Sequence, residues 1–281
     1  MKTTQSIPGF NQNPGEQAPR DNPPMGTVHL EISADGVATL TLDRPQKLNA
    51  LSLELLAQLE ASLKEIEESD ARVLILRTAG DRAFCVGADI GQFSGFTPVQ
   101  MWKTWIKEGH RIYRQLANLS QPTIAVIDGP ALGGGLELAL ACDFRVAGPS
   151  ARFGLPEVGI GTIPGWGGTE RLTKLVGEGR AKELILTGRQ IPPDTALAWG
   201  LVTETADADS LEESVRDLVS DLLKGAPIAQ QTAKQLIHAA AQGADSSLVE
   251  AIASGFTTAT RDFRSGMTSF QEKKLAVFSG H

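Results

Sequence analysis

The chain has 281 residues, 41% hydrophobic and 21% charged, close to ordinary globular values, so wholesale disorder is excluded. A net charge of −7 without a basic stripe argues against nucleic-acid binding, and no apolar run reaches the ~18 residues of a membrane-spanning helix. Glycine stands out at 29 residues, and eleven of these fall between Gly129 and Gly168, where base rate predicts about three.

In chain order, residues 1 to 26 are polar and carry Pro8, Pro14, Pro19, Pro23 and Pro24. They read as a mobile tail without signal- or transit-peptide character. Val28, Leu30 and Ile32 alternate with polar residues, Asp35-Gly36 offers a turn, and Val37–Leu42 returns: two strands joined as a hairpin. A helix is expected from Ser52 to Glu68, with Leu55, Leu56, Leu59, Leu63 and Ile66 on one face. Val73–Leu76 and Thr123–Ile127 are short apolar runs, as in strands buried on both faces. Between them Pro98–Leu119 reads as a helix. Leu136–Cys142 reads as a short helix, Phe144–Ala147 as a strand, Thr169–Val176 and Ala181–Leu186 as helices, and Leu201–Thr203 as a last strand. Four helices follow, over Leu211–Leu223, Ile228–Ala241, Ser247–Ala259 and Met267–Val277. The fold class is therefore α/β, with a body over residues 27–206 and an all-helical part over 207–281.

The chemistry-bearing stretches lie in the body. Gly129-Pro-Ala-Leu-Gly-Gly-Gly-Leu-Glu137 follows an apolar strand and opens a helix. Free amides at a helix N-terminus, bared by glycines, suit an anion or a carbonyl gaining charge; a tight turn allowing close helix packing uses the same residues. Glu137, in the first helical turn, either complements the helix dipole or acts chemically. Glu157 sits in an otherwise apolar, Gly- and Pro-rich stretch, Phe153-Gly-Leu-Pro-Glu157. It either faces solvent or is held where its pKa rises. Two such carboxylates can divide the taking and giving of a proton. A third stretch, Ala83-Phe-Cys-Val-Gly-Ala-Asp-Ile90, could bring a second amide or be a plain connection. Cys85 and Cys142 form no CxxC, and His29, His110, His238 and His281 form no metal-spaced pair. A reducing compartment, the cytoplasm, and no metal are the expectations. Cys85 reads as a buried, inert thiol, Asp89 and Asp143 as cap or turn residues, and His110 as a surface or packed side chain.

In this order and spacing the three stretches resemble the crotonase (enoyl-CoA hydratase/isomerase) superfamily, from about Thr27 to the C-terminus. The resemblance implies a spiral of ββα units followed by a helical region that builds trimers, often paired into hexamers. It implies an acyl-CoA thioester as substrate, with coenzyme A part of the substrate and no separate cofactor. The thioester oxygen would rest on the amides of Ala88 and Gly134, and Glu137 and Glu157 would serve as acid and base. Arg44-Pro-Gln-Lys-Leu-Asn-Ala-Leu51 resembles the CoA-facing loop, which assigns Lys47, Leu48, Ala50, Ala88, Asp89, Ile90 and Gly134 to substrate binding, Lys47 towards phosphate. The implied activity is reversible hydration of a trans-2-enoyl-CoA to a 3-hydroxyacyl-CoA. Double-bond isomerisation, a specialised hydration, and a non-catalytic acyl-CoA scaffold are the alternatives. Trp166 and Gly91 depart from the family pattern. Trp102 and Trp105 lie on a helix that borders the acyl pocket there, and core packing is the simpler reading of both.

Overall fold

The computed structural model describes residues 25–281; the tail expectation for residues 1–26 falls almost wholly outside them. β1 (Thr27–Ile32) and β2 (Val37–Asp43) form the expected antiparallel pair. Gly36, at φ +85°, supplies the left-handed residue that turns the chain. A parallel partner for β2 requires a crossover, and α1 (Leu53–Glu68) supplies it before β3 (Val73–Thr78). All five apolar residues expected on one face of α1 are buried. The helix starts where it does because Ser52 accepts a hydrogen bond from the Leu55 amide at 3.3 Å. Replacing Ser52 by Ala is expected to cost about 1 kcal/mol, read as a lower urea midpoint at unchanged slope.

The next crossover contains α2 (Ile90–Phe93), α3 (Pro98–Gln100), a π-helical turn at Met101–Ile106 and α4 (Lys107–Asn118). The long helix expected over Pro98–Leu119 is thus real but interrupted by the π turn. It leads to β4 (Thr123–Ile127), parallel to β3. β5 (Pro130–Leu132), α5 (Gly134–Leu140), β6 (Phe144–Ala147) and β7 (Arg152–Gly154) follow. Then come α6 (Gly168–Val176), α7 (Glu178–Thr187), α8 (Pro193–Ala198) and β8 (Glu204–Thr205). The main sheet has the order β1-β2-β3-β4-β6-β8, and β5 pairs with β7 in a second sheet. Isolated bridges extend that second ladder: Leu51 to Ala88, Cys85 to Ala131, and Phe153 to Ile191. Successive passes of the chain lay one segment in each ladder, which is the spiral the resemblance implied.

The centre of the main sheet, β3 and β4, is buried on both faces, which is why these strands carry apolar runs rather than alternation. Leu74, Leu76, Ala125 and Ile127 enter the large core with α1 and α4. Val73, Ile75, Ile124, Val126 and Val146 meet Leu211, Val215 and Val219 of α9 (Leu211–Leu223) on the opposite face. The remaining helices are α10 (Pro227–Ala241), α11 (Ser247–Thr258) and α12 (Arg261–Glu272).

Two expected elements are displaced. Leu201 and Val202 are buried, but both amides bond back to the Ala196 carbonyl as the chain leaves α8, so pairing with β6 begins only at Thr203 and the strand is β8. The last helix lies earlier than the expected Met267–Val277. Thr260 caps its start through the Phe263 amide at 3.1 Å, and Lys273, at φ +54°, ends it. Residues 274–281 then run back, and the Ser279 and Gly280 amides donate to the Asp262 carboxylate at 2.7 and 2.9 Å.

Candidate active site

Ala88 is held between two neighbours. On one side the Leu51 amide donates to the Gly87 carbonyl at 2.7 Å, and the Asp89 amide donates to the Leu51 carbonyl at 2.8 Å. In such a parallel bridge the groups of the middle residue point the other way. The Ala88 N–H therefore faces the side where Leu132 gives way to α5, and it donates to no acceptor among the described residues. Gly134, the first residue of α5, also has an N–H with no acceptor among the described residues, while its carbonyl takes the Tyr113 hydroxyl at 2.8 Å. The two segments touch: a Cβ on Gly87 would fall 2.9 Å from the Gly134 nitrogen. Gly87 and Gly133, at φ +93° and +52°, make the approach possible. One amide at the buried start of α5 and one from the neighbouring segment form a pair of donors suited to a carbonyl oxygen.

Glu137 follows within the first turn of α5 and is 2% exposed. Its Oε1 accepts from the Trp166 and Gly168 amides, both at 2.7 Å. Burial raises its pKa, and the two amides with Arg171 oppose the rise. Only glycine fits at 168, since a Cβ there would meet Glu137 Cγ at 2.8 Å. Glu157 opens a 3-10 turn just beyond β7. Its Oε1 lies against Gly133, where a Cβ would approach to 2.9 Å, and its buried Oε2 has no hydrogen-bond partner among the described residues. Burial, and then the charge of Glu137, push its pKa up to about 7, against one opposing backbone hydrogen bond. The carboxylates that stood twenty residues apart in sequence thus feel one another across the start of α5.

A raised carboxylate pKa carries a sign for stability. Between the ordinary value of 4.5 and about 7 the folded protein keeps the Glu157 proton that the unfolded chain loses. The native state is therefore progressively disfavoured as pH rises through that window. Glu157→Gln is expected to gain stability relative to the native sequence between about pH 5 and about pH 8, measured as a widening Tm difference.

Other expected site residues are brought to the same face. Leu48 accepts the Val86 amide at 3.2 Å, and Ala50 lies one residue before the Leu51–Ala88 bridge. Lys47 is exposed in the turn Pro45–Lys47, and Ile90 is exposed beside Ala88. Asp89 instead turns its carboxylate to Arg44 at 2.8 Å and to the Gly91 amide at 3.0 Å. Asp143 accepts from Thr123 and pairs with Lys234 at 2.6 Å. The Cys85 thiol is buried and pushed up to about 12, so it supplies no thiolate at neutral pH. Trp105 and Trp166 are core residues, but Trp102 is 69% exposed, which corrects the core reading for that residue. Sequence reasoning missed Arg44, Tyr113, and the Trp166 and Gly168 amides. Main-chain donors leave no residue-type signature, and only the glycine at 168 hinted at a close approach.

Residues 33–281 match the model of the enoyl-CoA hydratase/isomerase family. The chain belongs to that family. It is 40% identical over 241 residues to the short-chain-enoyl-CoA hydratase of Clostridium acetobutylicum, covering 85% of this chain and 92% of that protein. The crotonyl-CoA hydratase of Syntrophomonas wolfei is 36% identical over 248 residues, covering 86% and 94%. Among solved structures, an enoyl-CoA hydratase from Bacillus anthracis superposes with a TM-score of 0.86 at 38% identity, covering 91% of this chain and all of that one. As an enoyl-CoA hydratase/isomerase family member, the chain has the α/β body and C-terminal helices of these relatives. None of its described helices is long and apolar enough to cross a membrane.

Proposed function

We propose that the protein is an enoyl-CoA hydratase that adds water across the C2–C3 double bond of a trans-2-enoyl-CoA. The observation that carries this reading is the buried carboxylate of Glu137 and the half-buried one of Glu157, set beside the amides of Ala88 and Gly134. The thioester oxygen would accept from the Ala88 and Gly134 N–H groups. As the water oxygen bonds to C3, the C2–C3 π electrons move towards the carbonyl, and the oxygen gains the charge those amides stabilise. Glu137, whose Oε1 holds two N–H donors that oppose the rise imposed by burial, would take the water proton. Glu157, titrating near 7, is suited to deliver a proton to C2. Dehydration reverses both transfers.

Coenzyme A would lie along the turn bearing Lys47, Leu48 and Ala50, with Ile90 beside the thioester. The chemistry needs no further cofactor, because the amides act as the electrophile. The exposed apolar residues Ile237, Leu248, Ile252, Phe256 and Phe270 of α10–α12 support a homo-oligomer, a trimer or pair of trimers, testable by light scattering. Two free, buried cysteines support a reducing compartment, the cytoplasm. The test is to mix purified protein with enoyl-CoAs of increasing chain length and follow loss of the conjugated thioester absorbance. Hydration of at least one supports the reading; none hydrated overturns it.

A further inference from the structure

The reacting groups leave without a role the largely buried ion pair that lies next to Ala88, Arg44 with Asp89. Arg44 is 5% exposed. Its Nη1 donates to the Ala50 carbonyl at 2.9 Å and meets Asp89 Oδ2 at 2.8 Å. The main chain of Arg44 organises the turn behind it. Its amide donates to Asn49 Oδ1 at 2.9 Å, and its carbonyl accepts from the Lys47 and Asn49 amides at 3.0 Å. Asn49 Nδ2 then donates to Ala79 and Ala83 at 2.9 and 3.1 Å. Leu48 and Asn49 stand at φ 52° and 55°, conformations a non-glycine residue keeps only where its surroundings hold it.

At the other end of the pair, Asp89 is the residue after Ala88. Its Oδ1 takes the Gly91 amide and so starts α2, and its own amide is tied to Leu51. One side chain thus joins the turn expected to face coenzyme A to the peptide that carries an oxyanion donor. A buried ion pair is weak evidence for stability and is better attested as a device that fixes registry.

Taking the hydratase reading as its basis, we propose that Arg44 and Asp89 form a positioning pair. The pair converts occupancy of the Arg44–Leu51 turn by the nucleotide half of the substrate into correct aim of the Ala88 amide. Neither residue touches the reacting atoms. Binding energy from a remote part of the substrate raises kcat only if it is spent on transition-state geometry, and this pair is the mechanical link by which the turn reaches the donor.

The experiment compares two thioesters of one trans-2-enoyl group, of the chain length that the native protein hydrates fastest as its coenzyme A ester, one of coenzyme A and one of pantetheine, which lacks the nucleotide. Both are given to the native protein, Arg44→Lys and Arg44→Gln, with kcat and KM determined separately. In the native protein the coenzyme A ester should show the higher kcat, by about tenfold. Arg44→Gln should bring that kcat ratio towards one, mainly by slowing the coenzyme A ester. Arg44→Lys, which keeps the charge on a side chain one bond shorter than the reach from Cα to Nη1, should fall between. If Arg44→Gln does not fold, the lysine variant decides alone, and its ratio must lie below the native one. An equal fall on both esters, or no nucleotide advantage in the native kcat, overturns the proposal. Absence of hydration of both esters by the native protein overturns the hydratase reading, and the pair's role with it.

Discussion

Glu157→Gln should lower kcat for enoyl-CoA hydration by about 10²–10⁴-fold with little change in fold, because an amide of the same shape cannot give a proton to C2. The native rate of hydration should fall on the alkaline side as pH passes through about 7, where Glu157 loses its proton. That limb should be absent from whatever activity the variant retains. Glu137→Gln gives a comparable loss for a different reason. Its remaining carbonyl oxygen can still accept from Trp166 and Gly168, so the loop stays in place, but no base is left to take the water proton. Steady-state kinetics with circular dichroism as the folding control checks both. A double-bond isomerase would tolerate the Glu137 change, so near-native isomerisation by that variant would redirect the assignment to the other branch of the family.

Trp166→Ala should cost about 3–5 kcal/mol of stability, among the largest single losses available to the chain. The indole is 2% exposed, its centroid is 5.2 Å from those of both Trp105 and Tyr113, and its Nε1 donates to the Trp105 carbonyl at 3.3 Å. It occupies a slot that two glycines leave open. A Cβ on Gly109 would fall 2.2 Å from Trp166 Nε1, and one on Gly134 would fall 2.6 Å from Cζ3. The coupling is testable by a cycle. Gly109→Ala alone should destabilise, because its methyl strikes the ring. In the Trp166→Ala background it should be neutral or stabilising by up to about 1 kcal/mol, the helix preference of Ala over Gly. Urea unfolding of the four proteins measures this, and additive effects would show that ring and glycine do not share the space.

Much of the body was legible because long apolar patterns are dictated by burial. The buried face of α1, the buried strands β3 and β4, and the bounds of β6 and α9 follow directly from periodicity. What was hidden is short or set by tertiary contacts. β5 and β7 span three residues each, too few for any period to show. α12 was misplaced because Leu275 and Val277 look like a continuing helical face, whereas the carboxylate of Asp262 draws the chain end back along the helix. The site divides the same way. The glycine run and the two glutamates were visible as residue types, but the meeting of Ala88 with Gly134 depends on the second ladder, which joins residues far apart in the chain. The departure at Trp166 was visible too; its fit to Gly109 was not, because the two lie on different elements.

The order of strands in the main sheet bears on how the protein is made. After β1 and β2, every strand joins at the edge formed by the one before it, and none inserts between neighbours already paired. A chain emerging from the ribosome N-terminus first can therefore extend the sheet as it is synthesised. Ala88, Gly134, Glu137, Glu157 and Gly168 all emerge before α9. The sheet face formed by Val73, Ile75, Ile124 and Val126 stays bare until α9 arrives to cover it. The apolar surface of α10–α12 emerges after the sheet and α9, so the surface most prone to stray association appears only once the body that carries the site can already fold.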